Sequence, residues 1–306
     1  MSQSPSRREW LAGALATAAN AAARPNGVLV DSHVHLFDPA RVPYHAQATY
    51  KPPAAPLEAY VRFVREAKID HTVIVHPEPY QDDHRYLEYC FEHEPSPGYF
   101  KGTCLFDPIA ADTPARMAAL MKKLPNRIVA LRIHEMRPAD KPSTTAGPIK
   151  DRDLHHPAMK QTWRAAESLG LAIQMHFIPR FAPAIGELAA EFSGTPIILD
   201  HLARAGQGTP AEYEQVLRLA QFPRVYMKYS AVNYSSKQPY PYPDAKLLVR
   251  KAYDAFGADR TIWGGLGMNM AEFEKQSALF ELMFDYAPES DRAKIRGLTA
   301  MKLFRF

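Results

Sequence analysis

The chain has 306 residues, of which 46% are hydrophobic and 23% are charged. These values are ordinary for a folded globular protein, and they exclude disordered, collagen-like and coiled-coil chains. The net charge is +4. Because acidic and basic residues are interspersed without a basic run, this charge does not indicate a nucleic-acid partner.

The first 23 residues have the pattern of an export signal. Arg7 and Arg8 precede an apolar stretch that runs to about Ala19, and small residues follow at 21–23. A twin-arginine pair, a short apolar stretch and a small-residue cleavage site are typical of an exported protein. The apolar stretch is shorter than the roughly 18 residues of a stable membrane span. We therefore expect a twin-arginine signal at 1–23, a mature domain at 24–306, and a periplasmic or secreted protein; an Ala-rich helix is the alternative.

Eight short apolar runs follow in chain order, each succeeded by a polar loop and an amphipathic segment. The runs are 28–30, 72–75, 102–105, 128–131, 171–173, 196–199, 225–227 and 260–263, and the helical segments are 57–68, 83–93, 114–124, 157–169, 183–192, 210–220, 244–256 and 273–286. Continuous apolar runs are typical of parallel strands that are buried on both faces. Eight strand–helix units in about 280 residues predict an α/β fold, namely a (β/α)8 TIM barrel. A doubly wound sheet is disfavoured because no Gly-rich phosphate loop follows the first run.

The two cysteines are Cys90, on a helical pattern, and Cys104, on a strand pattern. Export would permit a disulfide between them, and two buried free thiols fit the sequence equally well. The pair does not have the spacing of a metal knuckle.

Titratable residues recur where the predicted strands end. His33 and His35 close the first run, and side-chain alternation predicts that both point the same way, with Asp31 beside them. The other strand ends carry His76, Arg132, His134, Gln174, His176, Asp200, His201, Lys228 and Tyr229. Strand ends meet at the C-terminal face of a TIM barrel, where such barrels hold their active sites. The sequence therefore predicts one site lined by these residues.

With these residues in this order, the chain resembles the amidohydrolase superfamily, and within it the amidohydrolase-related branch that contains sugar lactonases and pyrone-dicarboxylate lactonases. The matching segments are 31–35, Arg132, His176, 199–202, 228–230, 241–244 and 256–264, and the resemblance covers nearly all of 27–306. It implies a distorted TIM barrel that hydrolyses a carbonyl compound, with or without a divalent metal.

One position departs from the family pattern. Members place an aspartate shortly after the Trp-Gly of the eighth strand, where it acts as general base, whereas this chain has Leu266 there. Leucine neither accepts a proton nor binds a metal. The usual mechanism therefore does not transfer intact.

We expect a hydrolase acting on a lactone or a similar small cyclic ester, with a small molecule as its only indicated partner. Glu78, held between Pro77 and Pro79, is the first candidate for the replacement base, followed by Asp82, Asp83 and Glu135. Asp82 or Asp83 has a second interpretation, as a cap for the helix that follows.

The rest of the expected site divides by role. The cofactor is either one divalent ion, zinc or manganese, on His33, His35 and His176, or none, in which case these histidines and Arg132 polarise the carbonyl directly. His201 completes the expected catalytic set; His76, His134, Lys228, Tyr229 and Asn269 are the expected substrate contacts. The alternatives are a metal-dependent decarboxylase and a non-catalytic exported binding protein, and the sequence favours no particular oligomeric state.

Overall fold

The computed structural model describes residues 27–306, so the predicted export signal at 1–23 lies outside it. Eight parallel strands occur in the order of the chain and form a nearly closed barrel, which confirms the predicted TIM architecture. They are β1 (Val30–Val34), β2 (His71–Val75), β3 (Phe100–Cys104), β4 (Ile128–Glu135), β5 (Ala172–Phe177), β6 (Ile197–Leu199), β7 (Val225–Tyr229) and β8 (Thr261–Trp263).

Helices alternate with the strands and surround the barrel. They are α1 (Leu57–Glu66), α2 (Arg85–Glu92), α3 (Thr113–Lys123), α4 (Pro157–Ser168), α5 (Ala182–Glu191), α6 (Pro210–Arg218), α7 (Lys246–Phe256), α8 (Met270–Met283), α9 (Glu289–Ala293) and α10 (Thr299–Phe304). In residues 27–306 there is no helix with both the length and the apolarity to cross a bilayer.

Two strands are longer than predicted, for the same reason. β4 and β5 continue past the apolar runs that predicted them, as far as Glu135 and Phe177. Their ends carry polar side chains into the barrel, so an apolar pattern underestimates their length. α8 begins earlier than predicted for a different reason: the side chain of Asn269 accepts a hydrogen bond from the backbone N–H of Glu272 and caps the helix.

The barrel interior is apolar at its N-terminal end. Val30, Val73, Ala130, Ala172, Ile198 and Ile262 form one cluster there, and α10 closes that end with Ala300 and Phe304. The alternate residues of the strands face the helices and pack with them into the larger core. Cys90 and Cys104 are both buried in that outer core as free thiols.

Two residues further along the strands, the interior becomes polar. Arg132 follows Ala130, Gln174 follows Ala172, and Asp200 follows Ile198, while β7 contributes Lys228. Because side chains alternate, these residues point to the same side as the apolar layer and lie above it. The histidines at the strand ends lie above this charged layer.

The first and last strands meet below the site. Ser32 Oγ donates a hydrogen bond to the carbonyl of Trp263 at 2.6 Å. The backbone approaches so closely that a Cβ on Gly264 would lie 2.7 Å from the backbone nitrogen of His33. A side chain at position 264 would therefore displace the strand that carries His33.

Candidate active site

His33 and His35 project from the end of β1 towards each other, with their Nε2 atoms 3.3 Å apart. His35 Nδ1 lies 2.7 Å from the carbonyl oxygen of Val75, which only accepts hydrogen bonds. Burial lowers the pKa of His35 to about 3, so the ring is neutral at pH 7. Its proton must therefore be on Nδ1, and its Nε2 presents a lone pair towards His33.

Asp200 is the negative centre of the charged layer and is fully buried. Its Oδ2 accepts hydrogen bonds from Arg132 Nε at 3.1 Å and from Gln174 Nε2 at 3.0 Å, and its Oδ1 lies 3.1 Å from Lys228 Nζ. Burial alone would raise the pKa of Asp200, but the charges of Lys228 and Arg132 hold it well below the usual range. Asp200 is thus an anion shared by two buried cations.

His201 follows Asp200 at the start of an unusual turn. Residues 201–204 all have left-handed backbone angles, with φ between 51° and 56°, at a cost of about 1–2 kcal/mol per residue. The surrounding packing maintains this turn, since a Cβ on Gly206 would lie 2.6 Å from the backbone of Ser235. The turn directs His201 Nδ1 to Ser230 Oγ at 2.7 Å, which leaves Nε2 for the site.

The same turn brings Arg204 over the opposite side of the barrel mouth. Arg204 Nη1 lies 2.8 Å from His176 Nε2, and the guanidinium stacks 4.0 Å above the ring of Tyr234. His134 contacts His176 edge-on, with ring centroids 5.1 Å apart, and His134 Nε2 and His176 Nδ1 are buried without a hydrogen-bond partner. This half of the site therefore combines a positive charge with two buried ring nitrogens that have no hydrogen-bond partner.

One group of ligand atoms in residues 27–306 is compact enough for a metal ion: His33, Asp200 and His201, within 4.8 Å of one another. It shares only His33 with the predicted set of His33, His35 and His176. His35 is still close through its Nε2 atom, whereas His176 is engaged by Arg204. Burial lowers the pKa of His33, His176 and His201, so all three rings are neutral at pH 7, the form in which imidazole binds metals.

The four carboxylates considered as replacement bases have different surroundings. Asp82 pairs with Arg116 at 2.7 Å and Asp83 with Arg85 at 2.6 Å. Asp83 also accepts a hydrogen bond from the backbone N–H of Arg85, but the N-cap position of α2 is His84, and no side chain caps this helix. Glu135 is buried on the helix side of β4, next to Arg137, and burial raises its pKa to about 7. These three are therefore neutralised by arginine or directed away from the barrel.

Glu78 is the remaining carboxylate. It is buried in a turn that continues from β2, and its Oε1 accepts a hydrogen bond from Thr49 Oγ1 at 2.5 Å. Burial raises the pKa of the neighbouring Tyr50 to about 12, with the charge of Glu78 adding to this and that of Arg132 opposing it.

The structure does not bring every predicted residue to this centre. His76 is buried in the loop after β2, with Nε2 2.8 Å from the carbonyl of Gln81, and Asn269 is exposed as the cap of α8. Tyr229 faces the helices and packs on Phe284, because its neighbour Lys228 takes the inward position on β7. These three side chains serve the surrounding loops and helices.

The prediction that Asp31 points to the same side of β1 as His33 and His35 was wrong. Alternation placed Asp31 with His33 and His35, but the register of β1 against β2 shifts between Asp31 and Val34. Asp31 instead bonds to Tyr60 of α1 and accepts hydrogen bonds from the backbone N–H groups of Gly265 and Leu266. It anchors the loop that lacks the usual aspartate, and Leu266 itself is fully buried.

Two residues near the centre, Arg204 and Tyr50, were missed from sequence because neither lies at a strand end. Ser230 lies directly after β7 and shares the inward phase of Lys228, but no role was predicted for it. Arg204 reaches the site only through the left-handed turn, which no residue pattern in 201–204 indicates.

Residues 30–306 match the amidohydrolase family. The chain belongs to this family. It is 25% identical over 285 residues to a 4-sulfomuconolactone hydrolase of Hydrogenophaga intermedia, covering 90% of this chain and 88% of that protein. It is 26% identical over 250 residues to an L-fucono-1,5-lactonase of Burkholderia ambifaria, covering 77% of this chain and 78% of that protein.

Solved structures have the same fold. A probable 2-pyrone-4,6-dicarboxylic acid hydrolase of Acinetobacter baumannii with citric acid bound superposes with a TM-score of 0.73 at 17% identity, covering 91% of this chain and 99% of that one. A zinc-bound amidohydrolase of Burkholderia multivorans superposes with a TM-score of 0.69 at 17% identity, covering 92% and 100%.

Proposed function

We propose that the protein hydrolyses the ring ester of a small lactone that carries a negatively charged group. The observation that carries this proposal is the charge of the site. Arg132, Lys228 and Arg204 are cationic, and the histidines are neutral. Asp200 is the carboxylate of the charged layer, and with Glu78 as a second carboxylate the site still has one net positive charge. A site with surplus buried positive charge favours an anion over a neutral sugar lactone.

The relatives support both the lactone ring and the negative charge of the proposed substrate. The sulfomuconolactone hydrolase and the fuconolactonase are both named for the opening of a lactone, and the former for a sulfonated one. The charged layer favours the anionic member of this pair. Arg204 lies against His176 and has no carboxylate partner in the described part of the chain, so it is the expected contact for the substrate's charged group.

Hydrolysis adds a water oxygen to the carbonyl carbon, breaks the bond from that carbon to the ring oxygen, and transfers a proton to the ring oxygen to give a hydroxy acid. Neutral imidazoles and the nearby cations stabilise negative charge that develops on the carbonyl oxygen. Glu78 is the proposed proton acceptor. It is the candidate base without a cationic partner among residues 27–306, and the hydroxyl of Thr49 fixes its orientation.

The centre also fits a divalent ion. His35 Nε2 presents a lone pair, and the carboxylate and imidazole atoms of His33, Asp200 and His201 converge within 4.8 Å. His33, His35, Asp200 and His201 are the residues that would hold such an ion. When bound, it would act as a Lewis acid on the carbonyl oxygen; zinc and manganese both accept such ligands.

The test compares two lactones with the same ring, one bearing a carboxymethyl group and the other its methyl ester. Acid release is followed with a pH indicator, and the ring-opened product is identified by mass spectrometry. We expect kcat/KM to favour the anion by at least about tenfold, equivalent to about 1.4 kcal/mol. Arg204→Gln should abolish most of this preference, whereas Arg180→Gln, which removes a guanidinium stacked on Phe181 elsewhere on the rim, should not.

Three results would contradict the proposal. A preference for the neutral ester would overturn the charge argument. Release of carbon dioxide without ring opening would indicate a decarboxylase, and saturable binding without turnover across the panel would indicate a binding protein.

We further propose, from the sequence at 1–23, that the protein is exported by the twin-arginine route.

A further inference from the structure

Lys228 occupies an unexpected place for a cation. Its side chain is fully buried inside the barrel, with Nζ 3.1 Å from Asp200 Oδ1 and 3.4 Å from His33 Nδ1. The opposite nitrogen of the same imidazole, His33 Nε2, faces His35 across 3.3 Å. The imidazole of His33 therefore lies between the ammonium group of Lys228 and the Nε2 atoms where a metal ion would bind.

The contacts of this ring determine which of its two nitrogens carries the proton. An ammonium group only donates, so His33 Nδ1 accepts from Lys228 and a neutral His33 carries its proton on Nε2. That proton points at the lone pair of His35 Nε2, whose own proton is directed to Val75. In this arrangement the Nε2 atom of His33 offers no lone pair to a metal ion held between it and His35.

Metal binding through Nε2 at the His33–His35 pair requires the other tautomer of His33. Its proton must move to Nδ1, where the nearest acceptor is Asp200 Oδ1 at 3.7 Å, the oxygen that Lys228 already contacts. Lys228 therefore favours the Nε2-protonated form of His33, whereas a metal ion at Nε2 favours the Nδ1-protonated form. The ion and Lys228 also compete for Asp200. The two positive charges also repel each other through a buried, weakly screened medium.

We propose that Lys228 restrains metal binding at the His33–His35 pair by holding His33 in the tautomer without a free Nε2 lone pair and by placing a positive charge behind it. This goes beyond the proposed lactonase activity. It concerns the affinity for a metal ion, so a protein without lactonase activity would not contradict it. Conversely, an unchanged metal affinity of the Lys228 variant would not contradict the proposed activity.

The experiment measures the affinity of the chelator-stripped full chain for zinc by competition with a chromophoric chelator, and for cobalt by its visible absorption. Lys228→Gln removes the charge and retains a hydrogen-bond donor for Asp200. We expect it to bind zinc at least about tenfold more tightly than the unmodified protein, since a full unit of charge is removed next to the site. Lys228→Arg, which keeps the charge, should gain nothing.

A matched control is Lys101→Gln. Lys101 is another buried barrel lysine, on β3, and it donates to the carbonyl of Asn126 at the opposite end of the barrel. Its replacement should leave zinc affinity unchanged. Equal or weaker zinc binding by Lys228→Gln would overturn the proposal, as would the absence of zinc binding by every variant.

A second measurement does not depend on the variant folding. In protein labelled with ¹⁵N-histidine, long-range ¹⁵N–¹H spectra distinguish the two neutral tautomers. The metal-free unmodified protein should show His33 protonated on Nε2, and addition of zinc should move the proton to Nδ1. Protonation on Nδ1 before zinc is added would refute the role of Lys228.

Discussion

Asp200→Asn is the most informative single change, because Asp200 lies between Arg132 and Lys228 with no solvent exposure. Asparagine has nearly the same shape and keeps an oxygen for Arg132 and Gln174, so packing changes little. The charge is lost, and two buried cations remain without a counter-ion. Removal of one partner from a buried ion pair typically costs about 3–5 kcal/mol.

This cost translates into a measurable shift of the unfolding midpoint. For a domain of this size, each 1 kcal/mol lowers Tm by about 2–4 °C, so we expect a fall of roughly 10 °C with the free energy of unfolding measured in urea reduced accordingly. Asp254→Asn is the control, because Asp254 pairs with Arg250 on the exposed face of α7 and its loss should have no measurable effect.

A double-mutant cycle separates charge from shape. Lys228→Gln combined with Asp200→Asn removes both members of one pair, so the double variant should be more stable than Asp200→Asn alone. A loss below about 1 kcal/mol for Asp200→Asn, or strict additivity in the double variant, would refute the view that Asp200 is an anion required by two cations.

Three other expectations can be checked directly. Glu78→Gln should lower kcat on an accepted lactone by about 10²-fold or more with little change in KM. The control Asp82→Asn, at a carboxylate paired with Arg116, should retain turnover. Undiminished activity of Glu78→Gln would make His201 the next candidate for the base. Burial lowers the pKa of six histidines: His33, His35, His76, His134, His176 and His201. Below about pH 6.5 the unfolded chain therefore binds protons that the native state does not bind, and the free energy of unfolding should fall as the pH drops from 7 to 5. Asp31 and Glu135, with pKa values raised to about 6 and 7, act in the opposite direction but are fewer, so a urea titration showing greater stability at pH 5 would contradict this balance. Replacement of Arg7 and Arg8 by lysine should retain the protein in the cytoplasm, as judged by cell fractionation, and normal export of that variant would exclude a twin-arginine signal.

Much of the barrel was readable from sequence because parallel strands buried on both faces leave continuous apolar runs, and because chain order and spatial order coincide in this fold. The same regularity placed Arg132, His134, His176, Lys228 and the His33–His35 pair at one end of the barrel. Polar residues at strand ends share a phase of the repeat, so their convergence follows from the topology without any knowledge of contacts.

What the sequence could not indicate depends on departures from that regularity. The register shift in β1 turned Asp31 towards α1, and four consecutive left-handed residues carried Arg204 over His176. Neither feature has a local signal, since the backbone angles of 201–204 are unfavourable for the residues present and persist only because distant segments such as the Gly206–Ser235 contact hold them. Alternation and propensity are properties of neighbouring residues, whereas the charge balance around Asp200 joins β4, β5, β6 and β7 and exists only when the barrel has closed.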